Sequence, residues 1–539
     1  MFEILTAAEM RTLEQAAIES GDVTGRELME RAGRAVVAAV FAEWPDLAQA
    51  PHKALVLCGP GNNGGDGFVI ARRLKEWGWQ VDAYLLGDPA RLPPDARMNH
   101  DRWCAMGTVH DLARMPTEGQ GAALIVDALF GTGLRRPLEG AARAWGLRSG
   151  AGAATAAARI VAVDLPSGLC SDSGRVVGAG GAVVRAALTV TFHAPKLGHV
   201  LATGPEVCGR VVVADIGLAA RVTDAVRLVA PPHAASLDKA VSAHKYGHGH
   251  ALILTGGAGR TGAARLAARG SLRIGAGVVT LGVPGSAQME VAGHITALML
   301  RRIEDGPALS DILQDKRITA LCLGPGLGIG LHESGLIAAA LDAADGHPPY
   351  MGRPVVLDAD ALTAIAQDTA LFGLLHEGCV LTPHAGEFAR LFPDIAEKLA
   401  APATRGPAFS KVEATREAAR RAGCVVLFKG PDTVIAAPDG ACAINCAAYD
   451  RAAPWLATAG SGDVLAGFVT GLMARGLAPM QAAETAAWLH LECANRFGPG
   501  LIAEDLPEIL PEVLRALPPQ AARASSRISE LLASSNPST

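Results

Sequence analysis

The sequence lacks the marks of several large protein classes. Its ten cysteines (Cys58, Cys104, Cys170, Cys208, Cys322, Cys379, Cys424, Cys442, Cys446 and Cys493) include no Cys-x-x-Cys pair and are too sparse in 539 residues for a disulfide scaffold, so reduced thiols are expected. Aromatic residues are only 4% of the chain and charged residues 19%, against 50% hydrophobic, which is the composition of a globular chain of two or three domains. The formal net charge is −5 and no basic tail is present, so the electrostatic footprint of a nucleic-acid or anionic-membrane partner is missing. No uncharged apolar stretch reaches spanning length, and Met1–Leu5 has no basic region ahead of an apolar core; a cytoplasmic protein is expected. No glycine-rich loop ends in Gly-Lys-Ser/Thr, which excludes a Walker-type NTPase. A phosphorylated small molecule stays open as ligand, because helix N-termini bind anions without net positive charge.

What is present is alternation. From Thr6 to Phe41 apolar residues recur at helical spacing, with Thr6 and Glu9 in capping-box register and Gly21 and Gly25 dividing two helices. Short β-rich runs then alternate with helical stretches: Lys53–Cys58, Gln80–Leu86, Ala123–Val126, Arg159–Val163, Ala187–Phe192 and Arg210–Ala214. That pattern predicts a mostly parallel sheet covered on both faces. An Ala/Gly-rich piece, Gly150–Ala154, reads as a surface insertion. After Val229-Ala230-Pro231-Pro232-His233 the alternation begins afresh, with strands at Ala251–Thr255, Gly277–Val283, Ile318–Leu323, Pro354–Leu357, Cys379–Leu381 and Cys424–Phe428, and helices starting near Gly262, Ala385, Lys411 and Asp463. We expect domains at 1–222 and 236–515, a linker at 223–235 and a frayed tail at 516–539. The two halves do not repeat one another in their glycine loops.

In the first half, Gly59-Pro60-Gly61-Asn62-Asn63-Gly64-Gly65-Asp66-Gly67 joins a strand to a helix. Gly59, Gly61 and Gly64 satisfy G-x-G-x-x-G, and Asp88 follows at roughly the dinucleotide-fold spacing, so a Rossmann dehydrogenase is one reading. Against it, Asn62, Asn63 and Asp66 would crowd a pyrophosphate resting on bare amides. Two further clusters close strands: Asp127 with Phe130-Gly131-Thr132-Gly133-Leu134, and Asp164-Leu165-Pro166-Ser167-Gly168. Strand ends of a parallel sheet converge, so Asp127, Asp164 and Ser167 can meet Asn63 there. Their oxygens suit a hard cation; alternatively Asp127 and Asp164 only cap turns.

These motifs, with Thr191-Phe192-His193-Ala194-Pro195-Lys196, resemble the NAD(P)H-hydrate epimerase family over roughly residues 1 to 220. The resemblance implies a Rossmann-like parallel-sheet domain that interconverts the R and S epimers of NAD(P)H hydrated at C6 of the nicotinamide. It implies potassium on Asn63, Asp127 and Ser167, and substrate contacts from Asn62, Asn63, Gly64, Gly65, Asp66, Gly131, Thr132, Gly133, Leu134, Arg135, Arg136, Pro137 and Asp164. Loss of water from C6 leaves a nitrogen-stabilised cation that can be rehydrated from either face, and Asp164 is the expected proton carrier.

In the second half, His244, His248 and His250 stand together, but without a cysteine or carboxylate at ligand spacing they read as a loop that orders strand entry. Gly256–Gly262, Gly324–Gly328, Asp358–Leu362, Leu381–Phe388 and Lys429–Thr433 each adjoin a predicted strand. The stretch Ala457-Thr458-Ala459-Gly460-Ser461-Gly462-Asp463-Val464-Leu465-Ala466-Gly467 puts two glycines and a carboxylate at the start of an apolar helix, where Asp463 either caps the helix or serves as a base beside an anion hole. His384 reads as a site residue or as a buried structural one.

Together these stretches resemble the NAD(P)H-hydrate dehydratase family, a branch of the ribokinase-like α/β fold, over roughly residues 236 to 510. The resemblance implies ADP as phosphoryl donor, giving AMP and phosphate, with magnesium accompanying the nucleotide. Lys429, Gly430, Pro431, Asp432, Thr433 and Gly462 would hold the nucleotide, Ala263, Gly326, His384 and Asp463 would lie near the hydrated nicotinamide, and Asp463 would be catalytic. The approach Cys446–Trp455 departs from the Gly/Asn-containing approach of many relatives. A homo-oligomer is expected. The competing expectation is a ribokinase-like small-molecule kinase joined to a non-catalytic Rossmann-like module.

Overall fold

The computed structural model describes residues 2–116, 121–150, 158–219, 222, 226–240, 244–342 and 352–519. The Ala/Gly-rich piece beyond Gly150, the first three residues of the expected linker and the tail past 519 lie outside the described residues. The chain forms two compact units. Among the described residues, the first comprises those of Phe2–Ala225 with Ala401–Ser410, and the second those of Val226–Ala400 and of 411–519. That Ala401–Ser410 folds with the first unit, burying Ala403 and Ala408 in its core, has no signature in the sequence.

The first unit opens with helices Ala7–Glu19 and Gly25–Glu43. The Thr6/Glu9 capping box forms, with Glu9 N donating to Thr6 Oγ1 at 3.2 Å and Thr6 N to Glu9 Oε2 at 2.7 Å, and Thr24 and Glu27 repeat it. Its sheet runs Val109–Asp111, Gln80–Leu85, Lys53–Cys58, Leu124–Ala128, Arg159–Val163, Leu188–Phe192 and Arg210–Ala214, every neighbour pair parallel. In chain order that is third, second, first, fourth, fifth, sixth, seventh. The order reverses between Lys53–Cys58 and Leu124–Ala128, which is where parallel sheets open a ligand crevice. Continuous apolar strands are explained by helices on both faces: Ala54, Val56 and Cys58 enter one core with Phe68 and Trp103, whereas Leu55 and Leu57 enter another with Trp145.

The second sheet runs Met299–Arg302, Val278–Val283, His250–Leu254, Ala320–Leu323, Val355–Leu357, Cys379–Leu381 and Val425–Phe428, again parallel and again third, second, first, then fourth to seventh. Asp432–Ala436 and Cys442–Cys446 extend it as an antiparallel pair, and Val226–Leu228 lies parallel to the latter. The mostly parallel α/β architecture expected of each half is therefore present, its central strands within a residue or two of the expected bounds. The strands Val109–Asp111, Met299–Arg302, Asp432–Ala436, Cys442–Cys446 and Val226–Leu228 were not foreseen. Among the described residues no helix is long and apolar enough to cross a membrane.

Helix Ser461–Ala474 carries the Gly-Ser-Gly-Asp loop and is buried on nearly every side, which its all-round apolar sequence requires. It lies tightly on helix Gly262–Arg273: a Cβ on Gly467 would stand 2.2 Å from the carbonyl oxygen of Ala267, and Ser271 Oγ donates to Gly467 O at 2.6 Å. Replacing Gly467 by Val should drive these helices apart, at a cost of about 1–3 kcal/mol or more. The measurement is the thermal unfolding midpoint, expected to fall in Gly467→Val.

Candidate active sites

At the first switch point the chain turns so sharply that a Cβ on Gly64 would lie 2.0 Å from Gly59 O, and a Cβ on Gly59 would lie 1.7 Å from Leu129 O. This closeness makes the glycines obligatory. The expected Asn62–Asp66 loop is already helix, since Asn62 begins Asn62–Glu76 and the Gly64 and Gly65 amides bond to Gly61 O at 3.1 and 3.3 Å. Above the turn opens a cavity of about 520 Å³, whose lining includes Asn62, Asn63, Asp66, Gly131, Thr132, Gly133 and Asp164. Gly64 and Gly65 are buried beneath it. Leu134 turns into the hydrophobic core, and Leu134, Arg135, Arg136 and Pro137 are not part of the lining.

Asp164 follows strand Arg159–Val163 with φ +67°, a left-handed conformation uncommon outside glycine. Its Oδ1 accepts from Thr191 Oγ1 at 2.8 Å and stands 3.1 Å from Lys196 Nζ; its Oδ2 accepts from the Thr132 amide at 3.2 Å. Lys196 is itself buried, donating to Thr191 Oγ1 at 2.8 Å and Phe192 O at 2.9 Å. His199 Nε2 reaches Asp164 O at 2.9 Å. Burial alone would raise the Asp164 carboxyl, but Lys196, His199 and the Thr191 hydroxyl together hold it below the usual carboxylate range. A Cβ on Gly131 would lie 2.9 Å from Asn63 Oδ1 and 3.0 Å from Asp164 Oδ2, so these oxygens flank one point in the cavity.

Asp127 is fully buried, its carboxylate accepting from Ser167 N and Ser167 Oγ, both at 2.8 Å. Burial pushes it up to about 6, the Ser167 and Leu129 hydrogen bonds only partly opposing this. Asn63 Nδ2 is buried with no hydrogen-bond partner.

At the second switch point two glycine loops interlock. A Cβ on Gly256 would stand 2.1 Å from Gly326 O, and one on Gly326 (φ +65°) 2.4 Å from Arg260 O and 3.7 Å from Ala263 Cβ. Beyond them the strand ends bring charge together: Lys429 Nζ lies 2.8 Å from Asp358 Oδ1 and 3.8 Å from Glu387 Oε2. It is also 3.4 Å from where a Gly462 Cβ would sit. Burial works against the Lys429 charge, yet Asp358 and Glu387 outweigh it and hold the ammonium above its ordinary value.

Asp463 stands in the first turn of its helix, but the helix is not capped by a side chain: Gly460, at φ +86°, is the N-cap. Burial and then the Asp358 charge raise the Asp463 carboxyl to about 6, with Lys429 pulling the other way. His384 is exposed rather than buried: its Nδ1 accepts from Gly386 N at 2.9 Å as the N-cap of helix Ala385–Leu391, and Glu387 Oε2 accepts from His384 N at 2.8 Å. Gly430 and Thr433 close a turn, Thr433 Oγ1 donating to Gly430 O at 2.7 Å, and Pro431 O accepts from Ala447 N. Asp432 pairs with Lys411 at 2.7 Å.

The chain is 37% identical to the bifunctional NAD(P)H-hydrate repair enzyme Nnr of Moorella thermoacetica, over 95% of this chain and 97% of that one. It belongs to the bifunctional NAD(P)H-hydrate repair enzyme family. Residues 25–198 match the family described as YjeF-related protein N-terminus, and residues 251–512 the NAD(P)H-hydrate dehydratase family. The first half is 49% identical to the NAD(P)H-hydrate epimerase of Rhodobacter capsulatus, covering 40% of this chain and all of that one. An ADP/ATP-dependent NAD(P)H-hydrate dehydratase from Bacillus subtilis is similar at 26% identity over 54% of this chain and 98% of that one, with a TM-score of 0.43.

Sequence reading of this family member passed over several residues at the two centres. Lys196 stood in a quoted motif without a role, and Glu14 and His199 were not singled out. His490 was missed as well: it lies in the Ala-rich helix Pro479–Phe497, buried, and its Nε2 donates to Ser461 O at 2.8 Å, tying down the first residue of the Asp463 helix. Burial pulls its ring down to about 4, so it is neutral near pH 7. In His490→Ala a half-buried carbonyl loses its side-chain donor, which costs about 1 kcal/mol. A lower thermal midpoint is expected, and His490→Gln, which keeps a donor, should recover part of it.

Proposed function

We propose that the chain repairs hydrated nicotinamide cofactors at two centres, epimerising NAD(P)H hydrate in the first unit and dehydrating the S epimer in the second with ADP, yielding AMP and phosphate. The observation that carries this reading is the pair of carboxylate centres, each at the switch point of its own mostly parallel sheet and each built beside a lysine, Lys196 buried and Lys429 half-buried. A stereospecific dehydratase needs its other epimer converted first, which gives one chain reason to hold both.

In the first unit, Asn62, Asn63, Asp66, Gly131, Thr132, Gly133 and Asp164 are the proposed substrate contacts. Asp164 acts there on protons at the C6 oxygen, held ionised by Lys196. Asn63, Asp127 and Ser167 form an oxygen donor set that suits potassium, and Asp127 is a buried carboxylate that no basic side chain among the described residues balances. A bound cation would supply that balancing charge and fix the surrounding loops.

In the second unit, Lys429, Gly430, Thr433 and Gly462 are the proposed nucleotide contacts, with magnesium accompanying the phosphates. Hydroxide leaves poorly and a phosphate ester leaves well. Asp463 takes the proton of the C6 hydroxyl as that oxygen attacks the terminal phosphorus of ADP, and the bond from phosphorus to AMP breaks. The ring nitrogen then expels phosphate, and loss of a proton from C5 restores the dihydronicotinamide. Lys429 and the amides at Gly460–Gly462 offer positive potential to the transferring phosphoryl group. A kinase using the same loop would stop at the phosphate ester, and recovery of NADH absorbance from the hydrate in the presence of ADP separates the two.

Asp463→Asn is expected to abolish NADH recovery from the S hydrate while interconversion of the epimers continues, and Asp164→Ala to do the reverse; chromatography of the epimers beside the absorbance assay reads both. A base is active when deprotonated, and the Asp463 carboxyl is raised to about 6. Dehydration should therefore hold level above that value and fall about tenfold per pH unit below it, as a profile of kcat/KM against pH will record.

A further inference from the structure

One wall of the first cavity is a helix whose sequence reads only as an amphipathic lead-in. Ala7–Glu19 presents Arg11, Glu14 and Ile18 to the cavity, residues three and four apart and so on one helical face. Glu14 is half-buried, and among the described residues no hydrogen bond or ion pair engages its carboxylate. It lies close enough to Asp164 and Lys196 to feel both charges. Asp164, by contrast, is committed to Thr191, Thr132 and Lys196. The cavity thus holds a carboxylate engaged by a lysine and hydroxyl and amide donors and, on a separate element, a carboxyl group with no hydrogen bond or ion pair of its own among the described residues.

Exchanging the face of a C6 hydrate needs both forms at once. Water must leave as its oxygen is protonated, and water must return as a proton is removed. We propose that Glu14 is the second catalytic carboxyl of the epimerase centre, the acid that protonates the departing C6 hydroxyl while Asp164 deprotonates the incoming water; this rests on the epimerase reading above. The Glu14 proton passes to the hydroxyl, the C6–O bond breaks, and water leaves a cation shared by C6 and the ring nitrogen. A second water bonds to the other face of C6 as Asp164 takes its proton. Glu14 is then ionised and Asp164 protonated, which is the state needed for the reverse conversion, and exchange with solvent in the open cavity resets the pair.

The environments of the two groups differ in the required direction. Burial and the Asp164 charge raise the Glu14 carboxyl, with Lys196 and Arg11 opposing, whereas Asp164 is held low. Asp66, within helix Asn62–Glu76, is raised as well, by burial first and then by the Asp164 and Glu14 charges, and it shares that helix with the Asn62 and Asn63 substrate contacts proposed above. The other charged groups on this cavity are Arg11 and Asp95.

The test is the full chain carrying Glu14→Gln, assayed for exchange of purified R and S hydrate and, on the same preparation, for ADP-dependent return of NADH from the S hydrate. Epimerase kcat should fall by about 10²–10⁴-fold with KM little changed, and NADH return should stay at the unaltered rate, showing the chain to be folded. Glu14→Asp should recover part of the loss. The unaltered chain should lose epimerase activity as pH rises through the Glu14 value, and Glu14→Gln should lack that limb. Exchange by Glu14→Gln within about threefold of the unaltered chain, or a rise in KM alone, overturns the proposal and leaves the epimerase reading standing. If the unaltered chain does not exchange the epimers above the uncatalysed rate, the epimerase reading falls and the proposal with it.

Discussion

Keeping an ionised carboxylate out of water is the constraint around which both centres are arranged. A buried charge is costly unless an opposite charge and hydrogen bonds stand beside it. In the first unit Lys196 does this for Asp164, and the lysine is in turn satisfied by Thr191 and the Phe192 carbonyl. In the second, Lys429 sits between Asp358 and Glu387, and Asp463, outside that tight pair, is raised by its burial and by the Asp358 charge. The two lysines act in the same direction on their carboxyls, with different outcomes. Lys196 outweighs burial and holds Asp164 low, whereas Lys429 only partly opposes it at Asp463 and leaves that carboxyl at about 6.

That arrangement depends on where the sheets reverse. The seven strands of the first sheet and the seven parallel strands of the second from His250–Leu254 to Val425–Phe428 lie in the same order, although their loops share no repeat, so both open a crevice in the same topological position. What fills each crevice differs. In the first unit a single glycine turn presses against Leu129, and in the second two glycine loops interlock at Gly256 and Gly326. Side chains are excluded at those contacts, which lets backbone and ligand share the space.

Central strands were legible in the sequence because parallel strands buried on both faces are short unbroken apolar runs; Lys53–Cys58, Arg159–Val163 and Cys379–Leu381 have the bounds expected of them. Val109–Asp111 and Met299–Arg302 were not, because strands at a sheet edge carry polar or exposed side chains. Asp432–Ala436 and Cys442–Cys446 follow one another without a helix between them and pair antiparallel, outside the strand–helix alternation that marks the others. The carboxylates at strand ends were legible because a topological rule brings strand ends together. Glu14 and His490 were not, since each lies on a helix where spacing alone makes it one more amphipathic or buried position, and its meaning comes only from what the tertiary fold sets opposite it.

Of the ten cysteines, Cys104 alone is exposed, while burial holds the other thiols in the interior, several of them, such as Cys379 and Cys442, raised to about 12. A protonated, enclosed thiol is a poor nucleophile and a poor target for oxidants. Cys104 ends the helix Pro94–Cys104, which near its other end contributes Asp95 to the first cavity. The molecule thus comes with a natural attachment point for a fluorophore or spin label, about two and a half turns from the crevice and on the same rigid rod, so that filling of the first site could be followed without engineering a residue.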